Sequence, residues 1–160
     1  MITTSLNSNA PPISSFADFY AFLSNFYPCP VEYQGLMFKN SEAAYQAQKC
    51  LNVYEKVNFT SLAANEAKQL GKKIALVPAW NDRSNRLKLR VMSEVVHAKF
   101  SQNDYLRTKL ECTLDAALIE GNWWGDTYWG VCKNEGLNML GKLLMAERAY
   151  WQALTKSFNG

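Results

Sequence analysis

Residues 120–132 read EGNWWGDTYWGVC, packing three tryptophans, three glycines and an aspartate into thirteen positions. Glycine weakens helix and strand interiors alike, so this stretch has to be a loop held by the elements around it. It divides the chain. Ahead of it lies mostly helical text with a short β element near the front. Behind it runs one long apolar-periodic segment, LGKLLMAERAYWQAL, that Asn138 can cap. The expected fold is mainly α (α+β), a single compact domain of several helices over residues 16–155, with a loose polar tail at residues 1–15. A chain of 160 residues, 48% apolar and 19% charged, can bury a core of that size.

Read forward, FADFYAFLSNFY at 16–27 is aromatic and ends at PCP. VEYQGLMF follows as two short strands turning at Gln34-Gly35. Asn40-Ser41 caps a helix through EAAYQAQKCL. A second helix is expected from about Thr60-Ser61 to Gly71, with Gly71 as a left-handed C-cap. Pro78 breaks the chain before a helix from about Asp82 to Phe100, whose buried face is Met92, Val95, Val96 and Phe100. Asn103 caps the next helix, carried inward by Leu106 and Leu110. AALIE at 116–120 is either a strand or a buried connection.

Charge and cysteine usage narrow the function classes. A formal charge of +3 is too small to argue for nucleic acid or membrane by itself, and it suits a phosphate-bearing ligand. Cys29, Cys50, Cys112 and Cys132 contain no CxxC pair, and with the single His97 they spell no zinc site. Reduced thiols and a cytoplasmic setting are expected. The opening MITTSLNSNAPPISS has neither the basic nor the apolar region of a signal peptide. No apolar run approaches the roughly 20 residues that span a bilayer. GxxxxGK[ST] and GxGxxG are absent. KQLGKK at 68–73 follows a helix C-terminus, where cations are favoured, and reads as a solvated helix end.

Two segments could carry chemistry. Glu42, Tyr45, Gln46 and Lys49 fall at i, i+3, i+4 and i+7, on one helix face. The opposite face is Ala43, Ala44, Ala47 and Cys50, small residues that permit close packing. The polar face is either solvated, with Glu42 favoured by the helix N-terminus, or the wall of a cleft. The second segment is the loop. Five of the eight glycines lie between Gly121 and Gly141, and three of the five tryptophans between Trp123 and Trp129. Its indoles either fold back into the core or offer flat faces to a base, worth about 1–3 kcal/mol per base stacked. Burial alone accounts for the tryptophans but not for the glycines and Asp126 beside them.

Seven motifs then occur in order: FLSNFYP at 22–28, FKNSExAYQAQK at 38–49, AKxLGKK at 67–73, Trp80 with Met92, AKF at 98–100, EGNxWGDTYWGVC at 120–132 and NxLGKLLMxxR at 138–148. Together they resemble the NADAR family, to which the YbiA-like N-glycosidases belong, from about Phe16 to Tyr150. Where the family usually has S-E-H, this chain has Ser41-Glu42-Ala43, which leaves no reacting side chain at position 43.

The resemblance implies hydrolysis of an N-glycosidic bond to a ribose bearing a 5′-phosphate or diphosphate, with no metal or other cofactor. Family activities fall into two groups. One clears ribosylamino-pyrimidine phosphate intermediates of riboflavin biosynthesis, and the other removes ADP-ribose from modified guanine in nucleic acid. The modest charge favours the first. A non-catalytic ADP-ribose or nucleotide reader is a further alternative, which the two carboxylates argue against. The family's functional positions map onto Asn25, Glu42, Trp80, Trp124 and Asp126, with Lys49, Lys99 and Arg148 as ligand contacts. Gln46, Gly125, Trp129 and Asn138 complete the expected substrate-binding set. Glu42 is expected near C1′, activating water or stabilising the cation. Asp126 would hold the ribose hydroxyls or take the complementary acid–base role, and Asn25 would position water or ribose. Trp124, with Trp80 or Trp129, would face the leaving heterocycle. Gly121, Gly125 and Gly130 would let the loop close round the sugar.

Overall fold

The computed structural model describes residues 9–160. Among the described residues helix dominates and the strands form two small pairings; the sequence pattern predicts the one near the front and not the second. The chain folds as two compact units, one made of the described residues up to Tyr20 with Thr108–Gly160, the other of Ala21–Arg107. Among the described residues no helix is long and apolar enough to cross a membrane.

The Ala21–Arg107 unit is built around a short buried helix. Strands β1 (Pro28–Tyr33) and β2 (Leu36–Asn40) pair antiparallel, with Val31 opposite Phe38 and Tyr33 opposite Leu36. Gln34 (φ 54°) and Gly35 (φ 77°) form the turn. Two successive positive φ values match the right-handed twist of a tight hairpin, which is why Gln-Gly works there. Asn40 ends β2 and caps α1 (Ser41–Ala47), its Oδ1 accepting from the Ala43 N–H at 2.7 Å. Every residue of α1 is buried. Ala43, Ala44 and Ala47 let α3 (Ala64–Gly71), α4 (Arg86–Gln102) and both strands pack closely on it.

Several boundaries differ from expectation. Asn52 caps a separate short helix α2 (Val53–Lys56) through the Glu55 N–H. α3 begins at Ala64 rather than near Thr60, and the Glu66 carboxylate reaches back to the Ala63 N–H. Gly71 is the last residue of α3 and does not have the positive φ of a left-handed cap. α4 starts at Arg86 because Asn85 is itself left-handed, and its buried face is the expected Met92, Val95, Val96 and Phe100. Asn103 precedes α5 (Asp104–Glu111), but its side chain donates to Pro30 and Lys99 carbonyls instead of capping.

In the other unit, α6 (Met139–Phe158) lays Leu140, Gly141, Leu144 and Arg148 inward. Gly141 backs directly onto the Leu118 carbonyl, where a Cβ would stand 2.1 Å away. β3 (Gly121–Asn122) and β4 (Val131–Cys132) pair in parallel at the two ends of the tryptophan loop. Residues 1–8 of the expected tail lie outside the described residues. The rest of it is not loose: Ile13 is buried and bridges Leu118, exchanging backbone hydrogen bonds with Ala117 and Ile119.

Candidate active site

The polar face of α1 is not solvated. Glu42 is only 7% exposed, and its Oε1 accepts from Gln46 Nε2 at 2.7 Å, one helical turn on. Its backbone N–H donates to the Asn25 carbonyl at 3.0 Å, tying the start of α1 to the FLSNFYP segment. Asn25 is buried too, its side chain directed at the Met92 sulfur (3.2 Å). A carboxylate so far from water needs fixed partners, and the buried amide of Gln46 supplies one.

Lys49 stands half-buried past the end of α1, its ammonium 6.0 Å from the Tyr45 ring and 5.8 Å from the Trp80 ring. Trp80 is 3% exposed and leans on Tyr45 with ring centroids 5.2 Å apart. Trp80 therefore forms a wall under Lys49 rather than an open stacking face. Burial holds the Lys49 ammonium below the usual lysine value; the Glu42 charge opposes that shift, and Lys88, Lys68 and Lys72 reinforce it.

Lys99, expected at the ligand, is 1% exposed. Its ammonium donates to the Phe22 and Ser24 carbonyls at 2.6 and 2.9 Å, closing the turn that leads into Asn25. The same charge works against the burial that pushes the Cys29 thiol up.

The tryptophan loop belongs to the other unit. Trp123 and Trp124 do not fold back: they are 85% and 52% exposed and meet edge to face at 5.8 Å. Trp129 is half-buried against Tyr128. Asp126 organises the turn, its Oδ1 accepting from the Tyr128 and Trp129 N–H groups at 3.1 and 2.8 Å. Asn122 brackets it from below, accepting from the Asp126 N–H and donating to the Asp126 carbonyl. Of the three loop glycines only Gly125 (φ 89°) needs its conformational freedom. Gly121 and Gly130 are packing glycines, since a Cβ there would meet the Ser14 and Glu120 carbonyls at 2.3 and 2.1 Å. Those two fix the loop's base and are no hinge for closing round a sugar.

Two more expected ligand residues have other work. Asn138 begins α6 in a left-handed conformation without capping it; its side chain accepts from the Glu120 N–H and donates to the Leu118 carbonyl. Arg148 is buried, with Nη1 donating to Thr113 Oγ1 and the Ala116 carbonyl at 2.8 Å each. Burial lowers its pKa, opposed by the charge of Asp115.

Of the expected site residues, Lys99, Asn138 and Arg148 are thus bonded into the fold, and the chain as a whole resembles known proteins. The chain is 34% identical to N-glycosidase YbiA of Escherichia coli over 142 residues, covering 84% of this chain and 83% of that one. It is 33% identical over 136 residues to an N-glycosidase of Nostoc punctiforme, covering 81% and 84%. A riboflavin biosynthesis protein of Vibrio vulnificus matches at 35% over 133 residues, 81% of this chain but 35% of that longer protein. The solution structure of E. coli YbiA superimposes with a TM-score of 0.77 at 30% identity, over 90% of this chain and 85% of that one. The NADAR domain matches residues 9–151, and the chain belongs to the NADAR family.

Proposed function

We propose that this protein is an N-glycosidase that cleaves the bond between a heterocyclic nitrogen, or its exocyclic amine, and C1′ of a phosphorylated ribose. The observation that carries the reading is the Glu42 carboxylate, buried and accepting from Gln46, on a residue whose backbone N–H donates to the Asn25 carbonyl. The names of its N-glycosidase relatives support the reaction class. As the C1′–N bond breaks, its electron pair leaves on nitrogen and positive charge gathers at C1′. A carboxylate fixed beforehand stabilises that charge without reorganising, a contribution commonly of about 3–4 kcal/mol per group. Water then adds its oxygen to C1′, giving one proton to Glu42, which passes it to the departing nitrogen.

The tryptophan loop offers an exposed indole at Trp124, which suits stacking on a base, and a carboxylate at Asp126, which suits ribose hydroxyls. The favoured substrate is a ribosylamino-pyrimidine phosphate, the kind of intermediate suggested by the riboflavin biosynthesis relative. ADP-ribosyl-guanine in nucleic acid is the second reading, favoured by the exposed Trp123–Trp124 pair, which could stack on neighbouring bases.

The test is an end-point assay by liquid chromatography and mass spectrometry with the two substrates side by side, using the native chain and Glu42→Gln. Glu42-dependent ribose 5-phosphate from the first supports the favoured reading. Glu42-dependent ADP-ribose from the second alone supports the alternative. Product from neither, with folded protein, defeats both and leaves a nucleotide reader.

A further inference from the structure

α3 and α4, which pack on α1, carry three lysines outside the expected set: Lys68, Lys72 and Lys88. Lys68 and Lys72 stand four residues apart along α3 and its C-cap, so they project from neighbouring positions on its surface. Between them Gly71 touches Gln46, where an added Cβ would lie 2.0 Å from Oε1, so this part of α3 abuts the Glu42–Gln46–Lys49 side of α1. The Lys68 ammonium sits 5.6 Å from the ring of Phe26, the residue next to Asn25. Lys88 comes from the first turn of α4. Burial lowers the Lys49 pKa, the Glu42 charge opposes that shift, and the charges of Lys88, Lys68 and Lys72 add to it.

Lys49, Lys68 and Lys88 are all half-buried, where like charges repel with less screening than in open water. Neighbouring lysines repel one another, and a multivalent anion seated among them relieves that repulsion. Gln46 points the same way: its buried Oε1 has no hydrogen-bond donor among the described residues. The KQLGKK segment, which reads in sequence as a solvated helix end, supplies two of the four cations.

We propose that Lys49, Lys68, Lys72 and Lys88 seat the phosphate of the substrate, while Lys99 and Arg148 hold the fold. The identity of the bound sugar rests on the N-glycosidase reading; the anion seat itself does not. A terminal monophosphate and the diphosphate of ADP-ribose share the required chemistry, and the probes below separate them.

The experiment is calorimetric titration of the folded chain with ribose, ribose 5-phosphate and ADP-ribose at two salt concentrations. Ribose 5-phosphate is expected to bind at least about tenfold more tightly than ribose, and less tightly as salt rises. Lys72→Gln and Lys88→Gln should each weaken it by about tenfold, and Arg148→Lys should leave it unchanged. A seat shaped for a diphosphate shows the same losses with ADP-ribose and little binding of ribose 5-phosphate. Equal binding of all three probes, or native affinity in both lysine variants, overturns the proposal. Phosphate-dependent binding in a protein that hydrolyses neither substrate defeats the hydrolase reading and leaves the seat standing.

Discussion

Gln46 donates to Glu42 at one end of its side-chain amide and presses against Gly71 at the other. No side chain fits at position 71 unless Gln46 moves, and moving Gln46 takes the hydrogen bond from the buried carboxylate. Gly71→Ala sets two effects against each other. Alanine improves helix propensity by about 1 kcal/mol. The clash with a buried, bonded amide costs about 1–3 kcal/mol. We expect the clash to win, with a net loss of stability in urea unfolding and a fall in kcat of about tenfold or more. An alanine variant of native activity and equal or greater stability contradicts the positioning of Glu42 by Gln46.

Arg148→Lys separates support from ligand contact. The guanidinium binds both Thr113 and Ala116, and an ammonium on a shorter stem cannot hold both in the same geometry. Unfolding free energy should drop by about 1–3 kcal/mol. KM for the phosphorylated substrate should stay at the native value in the folded variant. A large rise in KM at unchanged stability restores Arg148 to the ligand.

Local features are readable from sequence, and long-range ones are not. Asn40 as cap, Gln34-Gly35 as turn and the pairing of Glu42 with Gln46 one turn apart depend on neighbours within a few residues, and all three hold, whereas α1 ends at Ala47, before Lys49. Lys99 closes a turn 75 to 77 residues away, and Arg148 reaches back 32 to 35. A buried cation bonded to carbonyls looks, in sequence, the same as one awaiting a phosphate. Gly71 stands out in the sequence as a helix-ending glycine, but what it needs is space beside Gln46 rather than a positive φ. The lysines round Lys49 leave one faint signal: Lys68 and Lys72 flank that same glycine.

Tyr33 sets an alkaline limit on stability. Its hydroxyl donates to Glu94, and burial, that hydrogen bond and the carboxylate's charge together push its pKa up to about 12 from 10.0. Between those values the unfolded chain has lost the proton that the folded chain keeps. Stability from this group is therefore complete below pH 10 and falls as pH rises towards 12. Tyr33→Phe should be less stable than the native chain at pH 8 and show a flatter decline from about pH 10 to 12. Parallel declines in urea unfolding at these pH values count against a raised Tyr33 pKa.

Asp126 combines two functions that substitution can pull apart. Its Oδ1 holds the Tyr128 and Trp129 N–H groups, while Oδ2 accepts no hydrogen bond among the described residues. Asp126→Asn keeps an acceptor for the turn and removes the charge; Asp126→Ala removes both. If the aspartate serves only to shape the loop, asparagine should be close to native in stability and turnover, and alanine alone should lose about 1 kcal/mol or more. If the free oxygen also meets ribose, asparagine should fold normally yet lose about 10²–10³ in kcat/KM, comparable to removing a preplaced electrostatic group. We expect the second pattern. Melting temperatures and kcat/KM for both variants decide it, because only a carboxylate that acts on substrate makes the isosteric change costly in rate and nearly silent in stability.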